Sequence, residues 1–175
     1  MRDMAMLPPF VRANLVSALQ NTPTVLEALT ASVPLGSPIW DIRPDPQRFT
    51  LREVLAHLAD WEEVFQNRII RIRDEYLPKL PDLDPDEFAQ QHHYAASDPH
   101  RQRDLFAKRR QATVEIVKGL PNRAWERKGR YMEESPRVKG PMTIESWIAQ
   151  MVAHDVYHIR QIMDWLVYTQ QGRKE

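Results

Sequence analysis

From residue 50 onward, apolar side chains recur every three or four positions. At ~100° per residue, Leu51, Val54, Leu55, Leu58, Trp61, Val64, Phe65, Ile69 and Ile72 fall on one arc of about 180°. Arg52, Glu53, Ala56, Asp60, Glu63, Gln66 and Asn67 fall on the other. Thr50-Leu51-Arg52-Glu53 supplies the start signal, because the Thr hydroxyl and the Glu carboxylate can satisfy first-turn amides reciprocally. The pattern predicts an amphipathic helix of about 25 residues that ends before Pro78. A second strong pattern opens at Thr143 after Gly140-Pro141, with Glu145 in the first turn where the helix dipole favours an acid. Ile144, Trp147, Ile148, Met151, Ile162, Trp165 and Leu166 share a face, and the periodicity runs to about Tyr168.

Two further helices are readable. Asp98-Pro99 is an N-cap followed by Pro at the first helical position, leading through Leu105, Phe106, Ala112, Ile116 and Val117 to a stop at Gly119-Leu120-Pro121. From Pro9 to Val33, Leu15, Leu19, Leu26, Leu29 and Val33 keep helical register, but Pro23 interrupts them and predicts one kinked helix or two abutting ones. No strand alternation persists; a short hairpin between Trp125 and Val138, before the last helix, is the one strand expectation. Four helices with one apolar face each can bury those faces only against one another, so the fold class expected is all-α, a four-helix bundle forming a single domain over 1–175. The connection from Tyr76 to Ser97, with Pro78, Pro81 and Pro85, is far longer than the ~2–8 residues usual in bundles. A crossover of that length between the second and third helices would make them parallel and can cover a site at one mouth of the bundle.

Composition narrows the function classes. The 24 Lys+Arg balance 24 Asp+Glu, which argues against a phosphate-neutralising nucleic-acid binder. No stretch approaches the ~18 apolar residues of a membrane span, and the start, Met1 to Pro9, lacks a signal-peptide apolar run, so a cytoplasmic protein is expected. The 14 Pro against 5 Gly suit long helices joined by stiff connections. With no cysteine there is no disulfide, thiolate ligand or cysteine nucleophile, and a metal site would have to use His, Asp and Glu.

Three of the six histidines stand where core residues belong. His57 lies on the apolar arc of the second helix. His154 and His158 lie near the centre of the last helix's apolar arc, among Trp147, Met151, Ile162 and Trp165. A lone buried imidazole is ordinarily satisfied by a carbonyl or carboxylate. An i, i+4 pair on one apolar face is different, because two imidazoles offer each other little unless a cation bridges them. If the second and fourth helices are neighbours, His57 reaches the same point and completes three neutral nitrogen ligands, leaving positions open for water or substrate.

At these residues a resemblance is plain. Trp40 with Pro44, the run Phe49-Thr50-Leu51-Arg52-Glu53-Val54-Leu55-Ala56-His57-Leu58-Ala59-Asp60-Trp61-Glu62, Gly140 through Thr143, and His154-Asp155-Val156-Tyr157-His158-Ile159-Arg160-Gln161-Ile162 together resemble the DinB/YfiT-like superfamily. These are damage-inducible, metal-dependent proteins, distinct from the translesion polymerase that shares the name. The resemblance implies an up-down-down-up four-helix bundle, often a homodimer, with zinc or nickel held by His57, His154 and His158. It further implies thiol-dependent S-transferase chemistry on a small-molecule substrate, with metal-dependent hydrolysis or a non-catalytic stress-response, metal-binding dimer as alternatives. It assigns no catalytic side chain beyond the ligands.

The residues around the histidines suggest roles. Asp155 and Gln161 are candidates to orient an imidazole, or to make ordinary helix-edge contacts. Glu62 projects toward the apolar side as a buried base or, preferably, as a partner for Arg68 or a neighbouring Arg. Trp61, one turn from His57, can wall a pocket or simply be core. His92 and His93 in the proline-rich connection, with His100 nearby, are read as solvated. Arg101, Arg103, Lys108, Arg109 and Arg110 are read as a solvated basic face, with the binding of an anionic thiol cofactor as the sharper alternative.

Overall fold

The computed structural model describes residues 7–132 and 140–171, and among these no helix is long and apolar enough to cross a membrane. Five α-helices are present among them: α1 (Pro9–Thr30), α2 (Leu51–Asp74), α3 (Pro85–Gln91), α4 (Pro99–Lys118) and α5 (Ile144–Gln171). Three short strands join them, β1 (Lys79–Leu80), β2 (Lys128–Tyr131) and β3 (Met142–Thr143). The four long helices are those the periodicity predicts, and α3 lies inside the long connection. The leader reading of Met1 to Met6 lies outside the described residues.

Local chemistry explains the helix ends. Thr50 Oγ1 accepts from the Glu53 amide at 3.3 Å while Glu53 Oε2 accepts from the Thr50 amide at 2.8 Å, so the capping box is formed in both directions. Asp98 caps α4 by accepting from the amides of His100 and Arg101, with Pro99 in the first turn where its missing N–H is harmless. Asp84 and Pro85 start α3 in the same way.

Of the two alternatives expected at Pro23, the structure takes the single helix. Helix α1 runs through it as one element. Proline removes the N–H that would have bonded the carbonyl four residues back, and that carbonyl, on Leu19, instead accepts from Arg110 Nη1 of α4 at 3.2 Å. A tertiary donor replaces the lost intrahelical one.

Helix α4 packs against α2 and α1, and α5 packs against the same two. Two apolar clusters fill the interior. In one, Leu19 of α1 meets Trp61, Phe65, Ile69 and Ile72 of α2, Val114 and Val117 of α4, and Trp147, Ile148 and Met151 of α5. In the other, Leu26 and Val33 meet Trp40, Leu51, Val54, Leu55 and Leu58, Phe106, and Ile162 and Trp165. Between the levels of these clusters lies a band of buried polar side chains that includes Thr22, His57, Glu62, Arg110, Asp155 and His158.

The strand expectation is corrected in its pairing. β2 pairs antiparallel with β3, Gly129 facing Met142, and parallel with β1, Leu80 facing Tyr131. The expected hairpin between Trp125 and Val138 thus becomes a three-stranded patch that recruits the segment after α2, and its residues 133–138 lie outside the described residues. Gly129 permits the packing, since a Cβ there would stand 2.7 Å from Ile72 Cγ1. The patch ties residue 80 to the approach to α5 and so places the long connection beside the histidine-bearing helices.

Candidate metal centre

The apolar faces of α2 and α5 meet, and with them the three imidazoles. His57 Nε2 and His154 Nε2 are 3.0 Å apart. Ring centroids are separated by 5.1 Å for His57 and His154, 4.8 Å for His57 and His158, and 4.6 Å for His154 and His158. One nitrogen from each ring lies within 4.8 Å of the others. His57 and His158 are buried, and His154 is half-buried where it lines a cavity.

Burial sets the protonation state. It pushes the pKa of His57 well below the usual 6.5, with His158 adding to the shift. It does the same to His154, reinforced by His158, His57 and Arg110. His158 falls to about 4, again chiefly through burial, although Gln161 and Asp155 oppose the shift. All three rings are therefore neutral near pH 7 and carry a lone pair each.

One tautomer is defined by its partner. Gln161 Nε2 donates to the Phe49 carbonyl at 2.8 Å, which turns its Oε1 toward His158 Nδ1 at 3.1 Å. An amide oxygen only accepts, so His158 Nδ1 carries the proton and Nε2 is left as a lone pair. His57 Nδ1 is buried without a hydrogen-bond partner, so that ring's remaining polar interactions are on the Nε2 side. The two Nε2 atoms at 3.0 Å are within hydrogen-bond distance of each other and close enough to share one ion at ~2.0–2.1 Å from each, and an all-imidazole donor set suits zinc or nickel. The residues present fit a divalent cation.

The other candidate residues divide. Gln161 touches the His158 imidazole directly. Trp61 stacks near His57, with ring centroids 4.6 Å apart, and lines the cavity. Asp155 touches no imidazole; it takes both Nη atoms of Arg110 and the Thr22 hydroxyl, the latter at 2.7 Å. Glu62 is fully buried in an ion pair with Arg110 Nη2 at 2.7 Å, so its partner is a neighbouring Arg and not Arg68. Arg110 is accordingly a correction to the solvated-face reading: it is 2% exposed and neutralises two acids. Burial opposes its charge, but Glu62 and Asp155 outweigh that and raise its pKa. Arg109 bridges Asp60 and Glu63 at the surface, and Arg101 stays exposed.

The remaining histidines stand apart from the cluster. His92 Nδ1 lies 2.6 Å from Asp60, half-exposed against Phe88, and His93 is exposed. His100 Nε2 lies 2.9 Å from the Val33 carbonyl.

The imidazoles open into a cavity of about 500 Å³. Its walls are aromatic: Phe49, Trp61, Phe65, Tyr131, Trp147 and Tyr157. Asp82, Leu83, Pro85 and Asp86 of the long connection form another side. Arg48 and Arg68 also line it, and sequence reasoning assigned neither to a pocket. For Arg68 the signal existed, since it follows His57 by eleven residues, three turns of one helix face.

The family described as the DinB superfamily matches residues 15–162. No curated protein matches the sequence. Among solved structures the chain is similar to YfiT from Bacillus subtilis, described as a probable metal-dependent hydrolase with an unusual four-helix bundle topology. The TM-score is 0.85, with 17% sequence identity, 97% of this chain and 94% of that chain being covered. At that identity the likeness speaks to the fold.

Proposed function

This chain belongs to the DinB superfamily, and on that premise we propose that it is a divalent-metal-dependent enzyme whose three-histidine cluster serves to activate a low-molecular-weight thiol for attack on an electrophile. The observation that carries the reading is the convergence of three neutral imidazole nitrogens on one wall of an aromatic cavity. Zinc or nickel bound there would supply Lewis acidity, lowering the pKa of a thiol or a water in whatever position the protein leaves open.

The chain's own residues supply the rest. Gln161 holds His158 in the tautomer that presents Nε2. Trp61, Phe65 and Trp147 exclude water and offer an apolar surface to an electrophile. Glu62 is tied to Arg110, so the carboxylates that line the cavity are the exposed Asp82 and Asp86. Either nucleophile would be activated by the ion itself, and the thiol reading is put first on the family resemblance. Hydrolysis is the second reading, favoured by the description of YfiT.

The up-down-down-up course belongs to the same proposal, supported by the order in which residues of each helix enter the two apolar clusters. A homodimer is proposed with it on the family resemblance, and a cytoplasmic setting on the lack of a long apolar run in the sequence.

The test is metal analysis of the purified protein followed by fluorescent assay of thiol addition to monochlorobimane. Stoichiometric zinc or nickel, with thiol-dependent turnover lost on chelation and in His57→Ala, is expected. Ester hydrolysis without thiol would favour the second reading. Bound metal with four protein ligands and no turnover would make the ion structural, and absence of metal binding would overturn the proposal.

A further inference from the structure

Arginine 68 is buried, at 5% exposure, on the cavity wall. Its situation is unlike that of Arg110. Arg110 pairs with Glu62 and Asp155, whereas Arg68 forms no ion pair among the described residues. Its Nη2 donates to the Pro81 carbonyl at 2.8 Å, and its guanidinium lies over the rings of Trp147 at 4.7 Å and Tyr131 at 5.3 Å. Its Nε is buried without a hydrogen-bond partner. Burial lowers its pKa, and Tyr131, through its charge and a side-chain hydrogen bond to Arg68, together with the exposed Asp82, only partly offsets this. A desolvated cation with no acid paired to it is destabilising unless something else completes it.

We infer that the molecule entering this cavity carries an oxyanion, a carboxylate or phosphate, and that Arg68 receives it. Guanidinium donors match the planar oxygen pair of such groups, and the flanking rings keep water from competing. The backbone of Arg68 is about 16 Å along α2 from that of His57 and on the same face, with Trp147 and Phe65 between it and His154. The anion is thus anchored away from the imidazoles, and the reacting end of the molecule is directed toward them. At the other end of the cavity Arg48 lies over Trp165 at 4.7 Å and Tyr157 at 5.3 Å, its own Nε buried and unpartnered. It is less enclosed than Arg68, so the anchor is assigned to Arg68.

The inference names the substrate class of the site proposed above and rests on that reading for the chemistry, but not for its test. Calorimetric titrations of the protein with 4-phenylbutyrate, phenyl phosphate and the neutral 4-phenylbutyramide are made both as purified and after removal of metal with EDTA. Either acid should bind about tenfold or more tighter than the amide, the charge-assisted bonds making the difference. Which acid prevails distinguishes carboxylate from phosphate. Arg68→Met should lower the acids to the level of the amide while leaving the amide unchanged, and Arg68→Lys should recover part of the preference. Equal binding of acids and amide, an equal loss of all three in Arg68→Met, or a preference abolished by Arg48→Met and kept in Arg68→Met overturns the assignment. So does a preference that vanishes with EDTA, since the ion would then be the anion's partner. If Arg68→Met does not fold, the wild-type preference and its reduction in Arg68→Lys decide. A preference that survives in protein binding no metal would leave this inference standing and the metal reading fallen.

Discussion

Two polar clusters are buried side by side in this bundle, and they solve the same problem in opposite ways. Arg110, Glu62, Asp155 and Thr22 bring α4, α2, α5 and α1 together around one cation and two anions, and the charges balance internally. His57, His154 and His158 bring together three like groups that burial and mutual proximity hold neutral, with a single hydrogen-bond contact among them, between the Nε2 atoms of His57 and His154. The first cluster is complete without a ligand. The second turns its nitrogens together at the wall of the cavity. Asp155 and His154 are consecutive in α5, yet one turns to the closed network and the other to the open wall. Helical geometry achieves this division, because successive residues point about 100° apart.

The largest expected effect lies in the closed cluster. Arg110→Ala leaves two buried carboxylates without a counter-ion and should destabilise the protein by about 3–5 kcal/mol in urea unfolding, with or without metal. Adding Glu62→Gln and Asp155→Asn to Arg110→Met should recover much of that loss, as replacement of a whole buried ion network often does. The open cluster should respond to its ligand instead. Zinc at 100 times its Kd should raise stability by about 2.7 kcal/mol, and His154→Ala should abolish the rise while leaving the chelated protein folded. Gln161→Leu, which frees the His158 ring, should weaken zinc binding about 10–100-fold in a competition assay while leaving the Arg110 network intact.

The most gradual effect is on the pH profile of the chelated protein. The His158 pKa is near 4 when folded against the usual 6.5, so between these values the unfolded chain binds the proton and the folded one does not. Stability contributed by this group is present above pH 6.5 and falls as pH drops toward 4, by at most about 1.4 kcal/mol per pH unit. Saturating zinc should move that fall to lower pH, as measured by thermal melts across the range.

The helices were legible because their signals are local. The capping box at Thr50 and the Asp98-Pro99 start depend on residues three or four apart, and the structure begins α2 and α4 there. The shared angular position of His57, His154 and His158 was legible for the same reason; the meeting of their faces is a matter of packing between helices nearly a hundred residues apart. Arg110 was misread because its charge was given more weight than its position, although it sits on one face with Phe106, Thr113, Val114 and Val117. The strand patch was out of reach. Two-residue strands carry no alternation, and β1 owes its existence to a partner fifty residues away.

Pro23 has a consequence for how α1 comes into being. With the Leu19 carbonyl answered from α4, the middle of α1 has no complete set of internal bonds to offer as an isolated segment. Its helicity is borrowed from the neighbour, so a peptide of residues 9–30 should be largely coil by circular dichroism, and docking and helix completion become a single event.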